Sequence, residues 1–234
     1  MMNARYSTSA DCNLKQTNMT LDWYQYFQII ALILAIIYFR GLKRFRLSPF
    51  IPILLIVNIV ESIGTNYKNL GWSDNYSVYN LYLLFSTPLY LYLYATMLEL
   101  KGKALIIHSA VSIGCMVFII LNLFFLQGTG VFNTYSMALI SILYIVFSCL
   151  VLFRMTLGSN LTVNLYRQPY FWINSTNLFF SMTTLVFLGL QHYILTNNIK
   201  LGDKTLYYAI MPSANAVYYS GLSYAFILCN QNRS

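Results

Sequence analysis

Glu61 is the one acidic side chain that falls well inside a long apolar run of this sequence, so the search for chemistry starts there. An ionised carboxylate in hydrocarbon is costly unless it faces a polar partner or takes up a proton. Asn58, Ser62, Thr65 and Asn66 stand at helical offsets that share one face with Glu61. At about 1.5 Å per residue from Ser48, Glu61 lies roughly 20 Å into its helix. Tyr79 and Tyr82 of the next apolar run reach a similar depth, as do Thr184, Tyr208, Met211 and Ser213. A later stripe, Asn174, Asn177, Ser181, Thr184 and Gln191, again occupies one helical face. Glu61, Asn58, Tyr79, Tyr82, Asn177, Thr184, Tyr208 and Ser213 are therefore the candidate lining of a ligand pocket. A carboxylate among hydroxyls and amides suits a cationic or protonatable ligand. The same groups also suit a Glu–Tyr hydrogen bond that locks helices together, and both readings stay open.

Other chemistry is sparse. His108 falls near one end of its run and His192 near the opposite end of another, and a histidine near an interface suits a capping or headgroup contact. Cys12, Cys115, Cys149 and Cys229 form no C-x-x-C and no metal-ligand spacing. There is no H-E-x-x-H, no G-x-S-x-G and no phosphate-binding glycine loop. No aspartate lies inside an apolar run. No catalytic residue, metal site or cofactor is predicted.

The elements that must position these residues are membrane helices. The chain has 234 residues, 58% of them apolar and 9% charged, whereas soluble proteins carry about 25% charged residues. The net charge of +8 is spread between apolar runs. It does not form the single basic patch of a nucleic-acid binder. A helix crosses the hydrocarbon with about 20 residues, and seven stretches qualify: 23–39, 47–67, 75–98, 104–126, 131–153, 169–195 and 205–229. The predicted fold is an all-α polytopic membrane protein of seven transmembrane helices. Residues 1–20 form a polar outer tail, 21–229 the transmembrane domain and 230–234 a short cytoplasmic tail. The tail at 1–20 lacks an apolar signal core, so the first run is expected to direct insertion itself. Lysine and arginine set orientation. Arg40, Lys43, Arg44, Arg46, Lys101, Lys103, Arg154, Arg167 and Arg233 fall on one side; Arg5, Lys15, Lys68, Lys200 and Lys204 fall on the other. The richer side is placed in the cytoplasm and the N-terminus outside. Pro88 and Pro212 interrupt two runs, with Ser86, Thr87, Ser213 and Asn215 near enough to satisfy freed carbonyls.

The segments I-V-E-S-I-G at 59–64 and V-Y-N-L-Y at 78–82, within this hydropathy pattern, resemble a loose group of small seven-helix inner-membrane proteins of bacteria. Some of that group look like the membrane modules of sensor kinases. The resemblance implies a bacterial inner-membrane location and a sensor-like role. Only five residues follow Cys229, so no output domain is expected on this chain. The third run ends in M-L-E-L-K rather than the acidic-Arg-Tyr signature of G-protein-coupled receptors. The seventh run lacks both their Asn-Pro-x-x-Tyr and a lysine for retinal. The expected function is a non-enzymatic, sensor or receptor-like module with an outward-facing pocket around Glu61. The lipid bilayer surrounds it, and a membrane or cytoplasmic protein partner meets its loops at 40–46 and 154–168. The rivals are a lipid-modifying membrane enzyme, a small-solute carrier and an accessory subunit of a larger membrane complex.

Overall fold

The computed structural model describes residues 20–158, 164–197, 199–201 and 204–231. Its helices in chain order are α1 (Gln25–Ile37), α2 (Phe39–Arg44), α3 (Phe50–Thr65), α4 (Tyr76–Met97), α5 (Gly102–Leu121), α6 (Thr134–Gly158), α7 (Pro169–Thr196) and α8 (Leu206–Gln231). A π-helical turn, Asn122–Leu126, continues α5, and a 3-10 turn, Leu165–Arg167, precedes α7. Strands β1 (Lys200–Leu201) and β2 (Lys204–Thr205) pair antiparallel between α7 and α8, Lys200 opposite Thr205. The fold is helical, as expected, and each of the seven apolar runs coincides with one helix. Three segments, Gly102–Leu126, Thr134–Leu157 and Pro169–Leu190, are long and apolar enough to cross a membrane by length and composition. Gln25–Ile37 and Phe50–Thr65 are apolar but shorter.

The helices close into a ring. α1 packs on α3, α3 on α4, α4 on α5, α5 on α6, α6 on α7, α7 on α8, and α8 returns to α1. α4 also reaches α6. It buries Asn80, Leu83, Thr87, Tyr90, Leu91 and Tyr94, which recur at three and four residues. α5 and the π-helical turn that continues it are the reverse case: Ile106, Ile113 and Phe125 are 68%, 65% and 78% exposed. A water-facing helix places charges there; this one presents hydrocarbon.

One end of the bundle gathers most of the described basic residues. Gly41 lies against the backbone of Cys229, the Tyr170 hydroxyl donates to the Phe45 carbonyl (2.6 Å), and Arg154 pairs with Glu99. The stretch 40–46, expected as a loop, is mostly the helix α2. Its F-R-G-L-K-R sequence turns Gly41 and Leu42 inward and leaves Lys43 and Arg44 exposed. α6 likewise runs past the expected limit at 153, which puts Arg154 on the helix. α4 and α8 continue through Pro88 and Pro212. Ser86 Oγ donates to the Tyr82 carbonyl at 2.7 Å and Thr87 Oγ1 to the Leu83 carbonyl at 2.6 Å. Asn215 Nδ2 donates to the Met211 carbonyl at 3.1 Å.

Candidate functional site

At the end opposite the basic residues, three helices meet on Glu61. The Tyr24 hydroxyl, at the start of α1, donates to Glu61 Oε2 at 2.9 Å. The Tyr79 hydroxyl, from the first turn of α4, donates to the same oxygen at 3.1 Å. Gly64, one turn along α3 from Glu61, makes room for this: a Cβ there would fall 2.7 Å from the Tyr79 hydroxyl. The carboxylate thus faces phenols from two neighbouring helices, as its polar helix face predicts.

The surroundings are also polar. Gln25 Nε2 donates to Thr65 Oγ1 at 3.0 Å, while its Oε1 accepts from the Asp22 N–H at 2.8 Å. Asn66 exchanges two 3.0 Å bonds with the backbone of Thr20 and caps Ser62. Asn75 Nδ2 donates to the Gly64 carbonyl at 3.0 Å. Gln28 stands one turn beyond Tyr24 on α1 and is fully buried. Neither of its amide atoms has a hydrogen-bond partner among the described residues. A buried amide left unpaired costs the desolvation of both its ends. Tyr24, Gln25 and Gln28 are absent from the sequence-based set. Two glutamines inside an otherwise apolar run, three residues apart and the second of them one turn from Tyr24, are the signal that marks them.

The other expected lining residues divide. Asn58 turns its amide to the Leu54 carbonyl (2.7 Å) and the Gln28 carbonyl (3.5 Å). Tyr82 lies within electrostatic reach of Glu61 and Tyr90. Asn177 is not at the Glu61 layer: its Nδ2 donates to the Tyr94 hydroxyl and, at 3.5 Å, to Ser148 Oγ. Thr184 is buried, its hydroxyl without a partner among the described residues. Ser213 is exposed, so α8 turns it away from Glu61. The side chains of Tyr208, Gln191 and His192, and all of Cys12, lie outside the described residues. His108 is buried rather than at a headgroup. Its Nε2 lies 3.0 Å from the Leu91 carbonyl and its ring packs on Phe147 at 5.0 Å. Among the described residues no group of three His, Cys, Asp or Glu side chains could hold a metal ion.

Between Glu61 and Asn177 the core is filled with tyrosine. The hydroxyls of Tyr90 and Tyr218 are 2.8 Å apart, and so are Tyr94 Oη and Ser148 Oγ. The Tyr144 ring lies 5.1 Å from that of Tyr90 and 5.8 Å from that of Tyr94. Tyr219 packs on Tyr218 at 4.9 Å and lies within electrostatic reach of Glu61 and Tyr24. A file of phenols therefore runs from the Glu61 station into the bundle. On α4 it follows from Tyr79, Tyr82, Ser86, Tyr90 and Tyr94, spaced at three and four residues. Comparison of the chain with protein-family models, with curated proteins and with solved structures finds no match in any of the three.

Proposed function

We propose that this chain is a non-enzymatic membrane module of seven spans, sensor or receptor-like, with its N-terminus outside and its C-terminus in the cytoplasm of a bacterial inner membrane. The spans are α1 and α3 to α8. The short helix α2 lies at the cytoplasmic surface with its cations in the headgroup region, where lysine and arginine favour the inner side. α4 and α8 have 22 and 26 residues, long enough to span. Their tyrosines, serines and asparagines lower their hydropathy, but many of these are buried against the other helices rather than set against lipid.

The observation that carries the reading is the Glu61 station: a carboxylate held by Tyr24 and Tyr79 from two other helices, near the unpaired amide of Gln28. A site of this chemistry recognises a small cation that can donate hydrogen bonds, such as a primary ammonium group. Binding draws α1, α3 and α4 together at the outer end. The tyrosine file then couples their packing to α6, α7 and α8, and a separate partner reads the change at the cytoplasmic end. The test is thermal unfolding of the purified protein in detergent, with ethylammonium chloride against the same concentration of potassium chloride. The expected result is a rise in Tm specific to ethylammonium, lost in Glu61→Gln while that variant remains folded. If Glu61 serves only to lock helices, neither salt is distinguished and Glu61→Gln is mild, because the amide still accepts from the phenols.

A further inference from the structure

The basic end holds a second feature, remote from Glu61. A groove of about 340 Å³ is lined by Arg46, Tyr92, Thr96, Glu99, Lys101 and Leu105. It lies where the α2–α3 link meets the end of α4 and the start of α5.

Arg46 and Glu99 are there at a backbone cost. Both have positive φ, 56° and 45°, and neither is glycine. Each follows the C-terminus of a helix that closes with the same pair of bonds. The Leu47 N–H reaches the Leu42 carbonyl (2.7 Å) and the Arg46 N–H that of Lys43 (3.1 Å). The Leu100 N–H reaches the Ala95 carbonyl and the Glu99 N–H that of Thr96, both at 3.1 Å. The left-handed residue of this termination is ordinarily glycine, because a Cβ there crowds the following carbonyl. Two charged side chains occupy the position instead, and both line the one groove.

The charges do not cancel. Glu99 Oε2 is taken by Arg154 Nη2 at 2.6 Å. Arg46 and Lys101 form no ion pair among the described residues. Below them the wall is apolar and open to the side: Tyr92 is 58% exposed and Leu105 42%. Tyr92 lies roughly 10 Å along α4 from Glu99. Cations at the rim with an exposed aromatic and aliphatic wall beneath match an amphiphile that carries a phosphate above acyl chains. A free anion has no use for that wall.

We propose that this groove binds the headgroup of an anionic phospholipid, Arg46 and Lys101 holding the phosphate while its chains lie along Tyr92 and Leu105. The proposal rests on the chain being membrane-embedded, but not on the ligand proposed for Glu61. The experiment is native mass spectrometry of the full chain, released from mixed micelles holding equal phosphatidylglycerol and phosphatidylcholine. The expected result is a one-to-one adduct favouring phosphatidylglycerol. Arg46→Gly, which also relieves the backbone, and Lys101→Gln should each weaken that preference about fivefold, the equivalent of roughly 1 kcal/mol per cation near a charged surface. Tyr92→Ala should weaken retention of both lipids. Lys43→Gln, exposed on α2 outside the groove, should change nothing. Equal retention of the two lipids would overturn the proposal. So would a loss in Lys43→Gln matching that in Arg46→Gly, which marks diffuse surface charge, or displacement of the lipid by an equal concentration of glycerol phosphate.

Discussion

Tyr79→Phe removes one hydroxyl and leaves the ring that packs against Phe132. The lost bond is the 3.1 Å contact to Glu61 Oε2, which among the described residues then keeps Tyr24 at 2.9 Å. Hydrogen bonds between helices in membranes average about 0.6 kcal/mol and reach about 1.7, and bonds to carboxylates lie at the upper end. The single change should therefore cost about 1 to 1.5 kcal/mol, and Tyr24→Phe the same. Removing both phenols leaves the half-buried carboxylate without a side-chain donor among the described residues, so the double variant should cost more than the two singles together. The coupling should be about 0.5 to 2 kcal/mol, the range for residues sharing one network. Gly64→Ala is a steric counterpart. Its Cβ would sit 2.7 Å from the Tyr79 hydroxyl, so the ring must swing away, and the cost should equal or exceed that of Tyr79→Phe. The assay is reversible unfolding by SDS in mixed micelles, followed by tryptophan fluorescence. Single changes below about 0.3 kcal/mol that simply add in the double variant would refute the reasoning, since independent sites add within that margin.

Three further outcomes follow from the same geometry. Gly41→Ala should destabilise by about 1 to 3 kcal/mol in the same unfolding assay, because its Cβ would meet the Cys229 carbonyl oxygen at 2.8 Å and a helix backbone cannot yield as a side chain does. Asn80→Ala removes the donor to the Val131 carbonyl and the acceptor for the Asn133 N–H, both at 2.9 Å. It should cost about 1 to 3 kcal/mol and speed amide exchange in the segment joining α5 to α6. A cytoplasm-specific reporter should be active when fused after Ser234 and silent before Met1. Neutralising Arg40, Lys43, Arg44 and Arg46 together should invert part of the population, each cation contributing roughly 1 kcal/mol near an anionic surface. The reverse reporter pattern overturns the orientation, and both ends on one side removes the seven-span reading.

What the sequence discloses depends on how local its signal is. Apolar runs bounded by glycine, asparagine and charge are local, so each expected run meets a helix within a few residues. The α2 helix is missed because its basic residues read as a topology signal, and that signal says nothing about backbone. Gly41 and Leu42 in its midst carry the structural information, but only their fit against α8 gives it meaning. Helical spacing places Glu61 on a polar face, and the phenol of Tyr79 does meet it. The rest of the candidate set assumes that residues of equal depth converge. Ser213 and Asn177 do not, because depth leaves the rotation of each helix open. Ser213 shares the layer yet faces outward, and Asn177 finds Tyr94 and Ser148 instead.

Position along the chain does not disclose the inward turn of Tyr24 or of the tyrosine file. A tyrosine near a helix end has two uses, a headgroup belt or an inward hydrogen bond, and its position alone does not separate them. Company on the same face does. Trp23 and Tyr26 are exposed, whereas Gln28, one turn from Tyr24 on the same face, is buried. On α4, Tyr92 stands between Tyr90 and Tyr94 in sequence but is exposed, while its two neighbours lie in the core. Twenty-one tyrosines blur any count by type. On α4 the residues one turn back separate the two: Tyr90 follows Ser86 and Thr87, whereas Tyr92 follows Pro88 and Leu89, and hydroxyls on a membrane helix gain most where another helix can answer them. The inward set is where substitution should alter stability and coupling. The outward set, Tyr92 included, is where it should alter only the contact with lipid.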